Sequence, residues 1–219
     1  MEDKDLFEKL KQTIIEGDSE GLINLVQRSI EATDPLLIIE NGMMPGMTEI
    51  GDKFSTGEVF LPELLMAAEA FQEAMKIIKP KLEASGTSMK KRGTIVIGTV
   101  QTDIHEIGKN ILINLLIPAG FEVHDLGVNV PASNFIAKAE ELGADIIAAS
   151  AIMSTTIPFQ KDIIEALKSR GLRDKYLVMV GGGVVTQEWA DQIGADGYAD
   201  LASDGVKLAI ELIKKKKGV

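Results

Sequence analysis

The run Gly93 to Val100, together with the helical pattern behind it, limits the fold of this chain more than any other stretch. The run is apolar, continuous and rich in β-branched residues. Behind it, Ile107, Ile111, Leu112, Leu115 and Leu116 recur at helical spacing. A continuous apolar strand is one buried on both faces, as in a parallel sheet covered by helices. Gln101 to Glu106 then forms a loop at the carboxyl end of a parallel strand, where open α/β sheets bind their ligands. The loop carries His105, one of the two histidines in the chain, with Asp103 just before it. A histidine can offer one ring nitrogen to a metal while a carboxylate orients the other. On these residues alone His105 is either an axial ligand with Asp103 behind it or an ordinary loop histidine beside a helix N-terminus.

The same strand–helix alternation continues to the C-terminus. Strands are expected at Gly93–Val100, Phe121–Asp125, Asp145–Ser150, Tyr176–Val180 and near Asp196–Tyr198. Helices are expected at Glu106–Ile117, Ala132–Leu142, Ile157–Ser169, Gln187–Ile193 and from Ser203 onward. That order predicts a flavodoxin-like, doubly wound parallel sheet. The closing run Lys214 to Lys217 reads as a solvated helix end that complements the helix dipole. Two further loops should share the edge with His105: Ser150 to Thr156, and Gly181-Gly182-Gly183. The glycines are either a tight turn or bare backbone that lets a ligand come close. No dinucleotide fingerprint follows the first strand, and no Gly-Lys-Ser/Thr sequence supports a P-loop.

Upstream, the pattern is helical throughout. Leu6, Phe7, Leu10 and Ile14 form one stripe; Leu22, Leu25, Val26 and Ile30 form another. Asp34-Pro35 reads as an N-cap followed by proline at the first helical position. That helix should stop near Asn41-Gly42, with Pro45 opening the next. Gly57 interrupts before a long helix from Leu61 to about Leu82. Helices joined by short breaks predict a bundle. The polar and basic stretch Glu83 to Arg92 is the expected boundary, dividing the chain into a helical domain, 1–88, and an α/β domain, 89–219.

Composition excludes several classes. The formal net charge is -10, which disfavours a nucleic-acid groove. With no cysteine there is no disulfide framework and no thiolate nucleophile. No apolar run is long enough for a bilayer, and the start has no signal-peptide pattern, so a cytoplasmic location is expected.

Asp103-x-His105-x-x-Gly108, then Ser150-x-Ile152, then Gly181-Gly182 resembles the signature of the cobalamin-binding domain of corrinoid-dependent methyltransferases. Residues 109–149 and 153–180 separate the motifs, as that family requires. Gly51-Asp52-Lys53-Phe54 through Phe60-Leu61-Pro62 resembles the helical cap that precedes this domain in methionine synthase and in small corrinoid proteins. Asp125 to Pro131 matches the family's second loop.

The resemblance implies a corrinoid (cobalamin or a relative) bound base-off and His-on. His105 would be the lower ligand to cobalt, Asp103 would hydrogen-bond its other nitrogen, and Thr156 would complete the relay in place of the more usual serine. Gly108, Ser150, Ile152, Ser154, Gly181 and Gly182 would contact the cofactor and its displaced nucleotide tail. Phe54 and Leu61 would cover its upper, methyl-bearing face. The implied chemistry is a methyl relay, in which Co(I) accepts a methyl group and methyl-Co(III) passes it on. The partners implied are a substrate-specific methyltransferase, a corrinoid:thiol or corrinoid:pterin methyltransferase, and a reductive activation protein. No membrane or nucleic-acid partner is expected. With cap and corrin domain filling the sequence, a non-catalytic carrier subunit is expected, its cap swinging on a hinge at Ala84 to Arg92. The run Met179 to Ala190 looks most like carriers for methylated amines or betaines. Carriers for methanol or methoxy-aromatic donors are close alternatives. A cobalamin-dependent sensor or regulator, or a flavodoxin-like domain binding flavin or nothing, are the readings from other classes.

Overall fold

The amphipathic N-terminal segments fold as helices. The computed structural model describes residues 3–84 and 91–218. Its chain separates into two units, Met1–Lys90 and Lys91–Val219. Much of the expected boundary and hinge, residues 85–90, lies outside the described residues.

In the first unit α1 spans Asp3–Ile15, α2 Ser19–Ser29, α3 Pro35–Leu37, α4 Met44–Thr56 and α5 Leu61–Ala84. Asp18 caps α2 by accepting the Gly21 N–H at 2.9 Å, and Asp34 caps α3 by accepting the Leu36 N–H at 2.9 Å. Leu10, Ile14, Leu22, Val26, Ile50, Leu64 and Phe71 form the buried stripes.

One expectation fails here. Gly42 and Pro45 do not end one helix and start another. A π-helical stretch, Ile38–Met43, joins α3 to α4 without a break. The glycines serve packing. A Cβ on Gly42 would lie 2.8 Å from Leu10 Cδ1, and one on Gly46 would lie 2.8 Å from both the Lys11 carbonyl and Ile14 Cβ. Pro45 brings no N–H to the helix, and the wider π turn just before it admits the ring without a break.

In the second unit the strands are β1 Gly93–Thr99, β2 Phe121–Asp125, β3 Ile146–Ser150, β4 Leu177–Gly181 and β5 Gly197–Ala199. The intervening helices are α6 Ile107–Leu116, α7 Ala132–Leu142, α8 Pro158–Ser169, α9 Gln187–Ile193 and α10 Ala202–Lys217. All pairings are parallel, in the order β2-β1-β3-β4-β5. This is the flavodoxin-like order.

Alternation along each strand divides the core. Val96, Ile147, Ala149, Val178 and Val180 pack with Phe135, Ile136, Ile163, Leu167 and Ile193 of α7, α8 and α9. Ile95, Ile97, Ile146, Ala148 and Met179 pack with Leu116, Leu212 and Ile213 of α6 and α10. Each buried branched side chain contributes about 1.5–3 kcal/mol relative to exposure. Strand order reverses between β1 and β3, so the loops that follow these two strands leave toward opposite faces and open a crevice. His105 lies at that point.

Candidate functional site

The loop after β1 is folded back on itself. Thr99 donates its hydroxyl to the His105 carbonyl at 2.8 Å, and the Asp103 N–H bonds the Val100 carbonyl at 3.1 Å. The Val100 N–H donates to the Ser150 carbonyl at 3.0 Å, which ties the loop's root to β3.

Asp103 is fully buried and gathers the donors around it. Its Oδ1 lies 2.7 Å from His105 Nδ1 and accepts the His105 N–H at 3.1 Å. Its Oδ2 accepts the Ile152 N–H at 2.8 Å and the Thr156 hydroxyl at 2.7 Å. Burial by itself would push this carboxyl up. The hydrogen bonds from Ile152, Thr156 and His105 outweigh it and hold the group well below the usual carboxylate range. Asp103 is therefore ionised, and an ionised carboxylate only accepts. A neutral His105 ring bonded to it therefore carries its proton on Nδ1, with the lone pair of Nε2 left free. The ring is half exposed.

Thr156 reaches Asp103 because the turn after β3 closes on it. Its N–H bonds the Met153 carbonyl at 2.9 Å, and its hydroxyl accepts the Met153 N–H at 3.3 Å. Ile152 takes part through its backbone, and its side chain stays exposed. Ser150 ends β3, in register with Thr99 on one side and Gly181 on the other. Ser154 lies exposed on the same loop as Thr156 and makes no hydrogen bond to Asp103 or His105.

Gly182 has φ 123, and a Cβ there would sit 1.9 Å from the Ala151 carbonyl oxygen, so both backbone conformation and space demand glycine. Gly108 differs. Nothing lies within 4 Å of a Cβ built on it, so the protein itself gives no reason for glycine on that open face of α6. Phe54 and Leu61 are half-buried in the first unit, on α4 and at the start of α5. His124 lies on β2 beside Glu122, apart from these loops.

Some residues that shape the site carry no local signal in the sequence. Thr102 has φ 66, a conformation that costs a β-branched residue about 1–3 kcal/mol. Its N–H is taken by Asn129 Oδ1 at 2.8 Å, and the Asn129 N–H bonds the Asp103 carbonyl at 2.8 Å. Lys109 is buried at the start of α6 and donates to Asp125 Oδ2 and Asn110 Oδ1, both at 2.7 Å. Gln160 on α8 donates to the Ala149 and Gly181 carbonyls at 2.9 and 3.1 Å and accepts from Trp189 Nε1 at 3.1 Å. It ties β3 to β4 at the residues just before Ser150 and Gly182.

Among the described residues no group of three or more His, Asp or Glu side chains could hold a metal ion. A cofactor that brings its other metal ligands with it would need only one such nitrogen from the protein. The donor set fits that: one oriented imidazole, an edge with exposed Ile104, Ile107, Ile152 and Val184, and glycine where side chains would obstruct. No helix among the described residues is long and apolar enough to cross a membrane.

Comparison with known proteins agrees with this edge. A B12 binding domain model matches residues 93–207, and a second B12 binding domain model matches residues 6–79. A corrinoid protein of Desulfitobacterium hafniense (strain Y51) is 45% identical over 212 residues, covering 96% of this chain and 98% of its own. Dimethylamine corrinoid protein 1 of Methanosarcina mazei is 45% identical over 213 residues, 97% of this chain and 98% of its own. The crystal structure of the methanol:cobalamin methyltransferase complex of Methanosarcina barkeri superposes with a TM-score of 0.85 at 33% identity, covering 95% of this chain and 80% of that one.

Proposed function

The chain belongs to the B12-binding corrinoid proteins and is a methyl-carrying component of a methyltransferase system; we propose that it holds its corrinoid base-off, with His105 as the lower axial ligand. The observation that carries this reading is the His105 ring, tethered through Nδ1 to Asp103 with Nε2 left free. When bound, the corrinoid supplies the nucleophile that takes up a methyl group from one enzyme and releases it to another.

The protein's own residues hold and orient it. Asp103 fixes the imidazole tautomer and raises the basicity of Nε2. Thr156 and the Ile152 N–H keep Asp103 ionised. Gly108 leaves room on the face of α6 beside His105. Ser150, Ser154, Gly181 and Gly182 would receive the displaced nucleotide tail, and the side chain of Ile152 would meet the cofactor from the exposed end of its loop. Phe54 and Leu61, in a cap domain of residues 1–88, would shield the upper face from water and oxygen. Residues 89–219 form the corrinoid domain in this reading.

The donor enzyme we propose is one for a methylated amine; the support is the dimethylamine relative, 45% identical over 98% of its length. The acceptor enzyme would methylate a thiol or a pterin, and a reductive activation protein would restore oxidised cofactor. The test is the paramagnetic resonance spectrum of the protein reconstituted with cobalamin and reduced to Co(II). A histidine nitrogen should split the cobalt signal, and nitrogen-15 in the cofactor's benzimidazole should leave that splitting unchanged. A label-dependent change would reject the axial role of His105.

A further inference from the structure

We infer that Asn129, in the loop after β2, is a positioning residue for the Asp103–His105 pair: it clamps the strained Thr102 turn that aims the ligand. The inference rests on the reading of His105 as the axial ligand. Asn129 makes two bonds to consecutive residues. Its side-chain oxygen accepts the Thr102 N–H at 2.8 Å, and its own N–H donates to the Asp103 carbonyl at 2.8 Å. Thr102 has φ 66 and Asn129 has φ 55. Asparagine tolerates that region, whereas a β-branched threonine does not. Thr102 therefore stays there only while something outside its own turn holds it.

The surroundings make the clamp stiff. The Val130 N–H bonds the Thr99 carbonyl at 3.0 Å, the Thr99 N–H bonds the Gly127 carbonyl at 2.9 Å, and Val100 pairs with Val130 as a parallel bridge. The β2 loop thus runs beside the end of β1 like a short extra strand. At Thr102 the chain turns away, and Asn129 follows it with both its side-chain oxygen and its backbone N–H. Asp103 comes next and must present both carboxylate oxygens inward, to donors on two different loops. A freed Thr102 would relax toward negative φ, rotating the Asp103 peptide and lengthening the Asp103–His105 contact. Asn129 itself is exposed, so its side chain serves no core.

The experiment uses Asn129→Gly, which keeps the backbone conformation and the N–H but removes the acceptor. Asn129→Asp restores the acceptor, and Thr102→Gly combined with Asn129→Gly removes the strain that the clamp opposes. The readout is the pair of imidazole nitrogen shifts of the full-length, cofactor-free chain at mildly alkaline pH, where its two histidines are readily assigned. The wild type should show His105 as a single Nδ1–H tautomer. Asn129→Gly should show an averaged mixture of tautomers with an unchanged melting temperature. Asn129→Asp and the double glycine variant should both return to the wild-type spectrum. In the reconstituted Co(II) protein the histidine splitting should weaken at least several-fold in Asn129→Gly alone. A wild-type imidazole spectrum in Asn129→Gly would overturn the positioning role. A mixture of tautomers that persists in the double glycine variant would also overturn it, because strain at Thr102 would not be the cause. If the wild-type holoprotein shows no histidine splitting, the axial reading fails, and the clamp is still judged on the cofactor-free spectra.

Discussion

At Asp103 burial and hydrogen bonding pull in opposite directions, and the hydrogen bonds win. Burial would protonate the carboxyl, yet Ile152, Thr156 and His105 between them satisfy both oxygens. The balance has a pH signature. A carboxyl whose pKa is lowered by folding adds stability that is fully present above its unfolded value, about 4. That stability is lost as pH falls from there toward the folded value. The expected outcome is a progressive fall in wild-type stability that begins near pH 5 and is steepest below about pH 4, with a clearly flatter profile for Asp103→Asn. At neutral pH the asparagine variant should be less stable by about 1–3 kcal/mol, since one end of its amide is a donor facing donors. Denaturant melts across that pH range supply the comparison. Parallel profiles would mean that Asp103 is not the ionised centre of the site. Thr156 was legible for its hydroxyl, and Gly182 for its place in a glycine run. That Gly182 answers a carbonyl 1.9 Å from its missing Cβ was not, because the Ala151 carbonyl belongs to another strand's loop.

Among the elements, the periodic patterns placed all five strands and the helices between them to within a residue or so. The exceptions lie where one element leans on another. The α3–π–α4 helix runs through Gly42 and Pro45 because α1 comes close enough to need glycine at that face. The lysine run at the end of α10, expected to be solvated, is partly engaged. Lys216 Nζ reaches Asp145 Oδ1 at 3.2 Å and the Lys175 carbonyl at 3.3 Å, and Lys217 Nζ reaches the Arg92 carbonyl at 2.8 Å. These bonds staple the helix to the amino edge of the sheet, though exposed pairs of this kind add about 0–1 kcal/mol. Gln160 is the stronger tie between elements, since it is buried and all its bonds are internal. Gln160→Leu should destabilise the second unit by about 1–3 kcal/mol. It also strips the indole N–H of Trp189, the chain's single tryptophan, of its acceptor. Fluorescence should therefore report an altered emission maximum together with an earlier unfolding midpoint. Unchanged emission with unchanged stability would remove Gln160 as the bolt between β3 and β4.

For the molecule as a whole, the acidic balance, -10, favours partners with basic rims around their active sites, a matter of encounter and selectivity more than of affinity. If the cofactor's upper face is given up to a large enzyme, as the proposed carrier role requires, donor choice would belong to that enzyme. The reduced holoprotein alone should not demethylate methylamines, betaines, methanol or methoxy-aromatics at a useful rate. Adding the cognate methyltransferase should methylate the reduced cofactor with one donor class, seen as a change in its visible spectrum. A matrix of methyltransferases against donors makes the comparison. Rapid methylation by the isolated protein would overturn the carrier role, and a response confined to methanol or methoxy-aromatics would overturn the amine assignment.

The sequence by itself determined the two-part layout, the parallel sheet and the Asp103–His105 pair on the loop after β1. Each of these is written locally: in the period of the apolar positions, in the breaks between them, and in an aspartate two residues from a histidine. The tertiary structure alone decided what holds those residues in place. Asn129 meets Thr102, Lys109 meets Asp125, Gln160 meets Trp189 and Lys216 meets Asp145 only after strand order and register have brought distant segments together. A polar side chain that is exposed in one register is buried and paired in another. Residue type and spacing carry no record of that choice, because register follows from how all the strands pack at once.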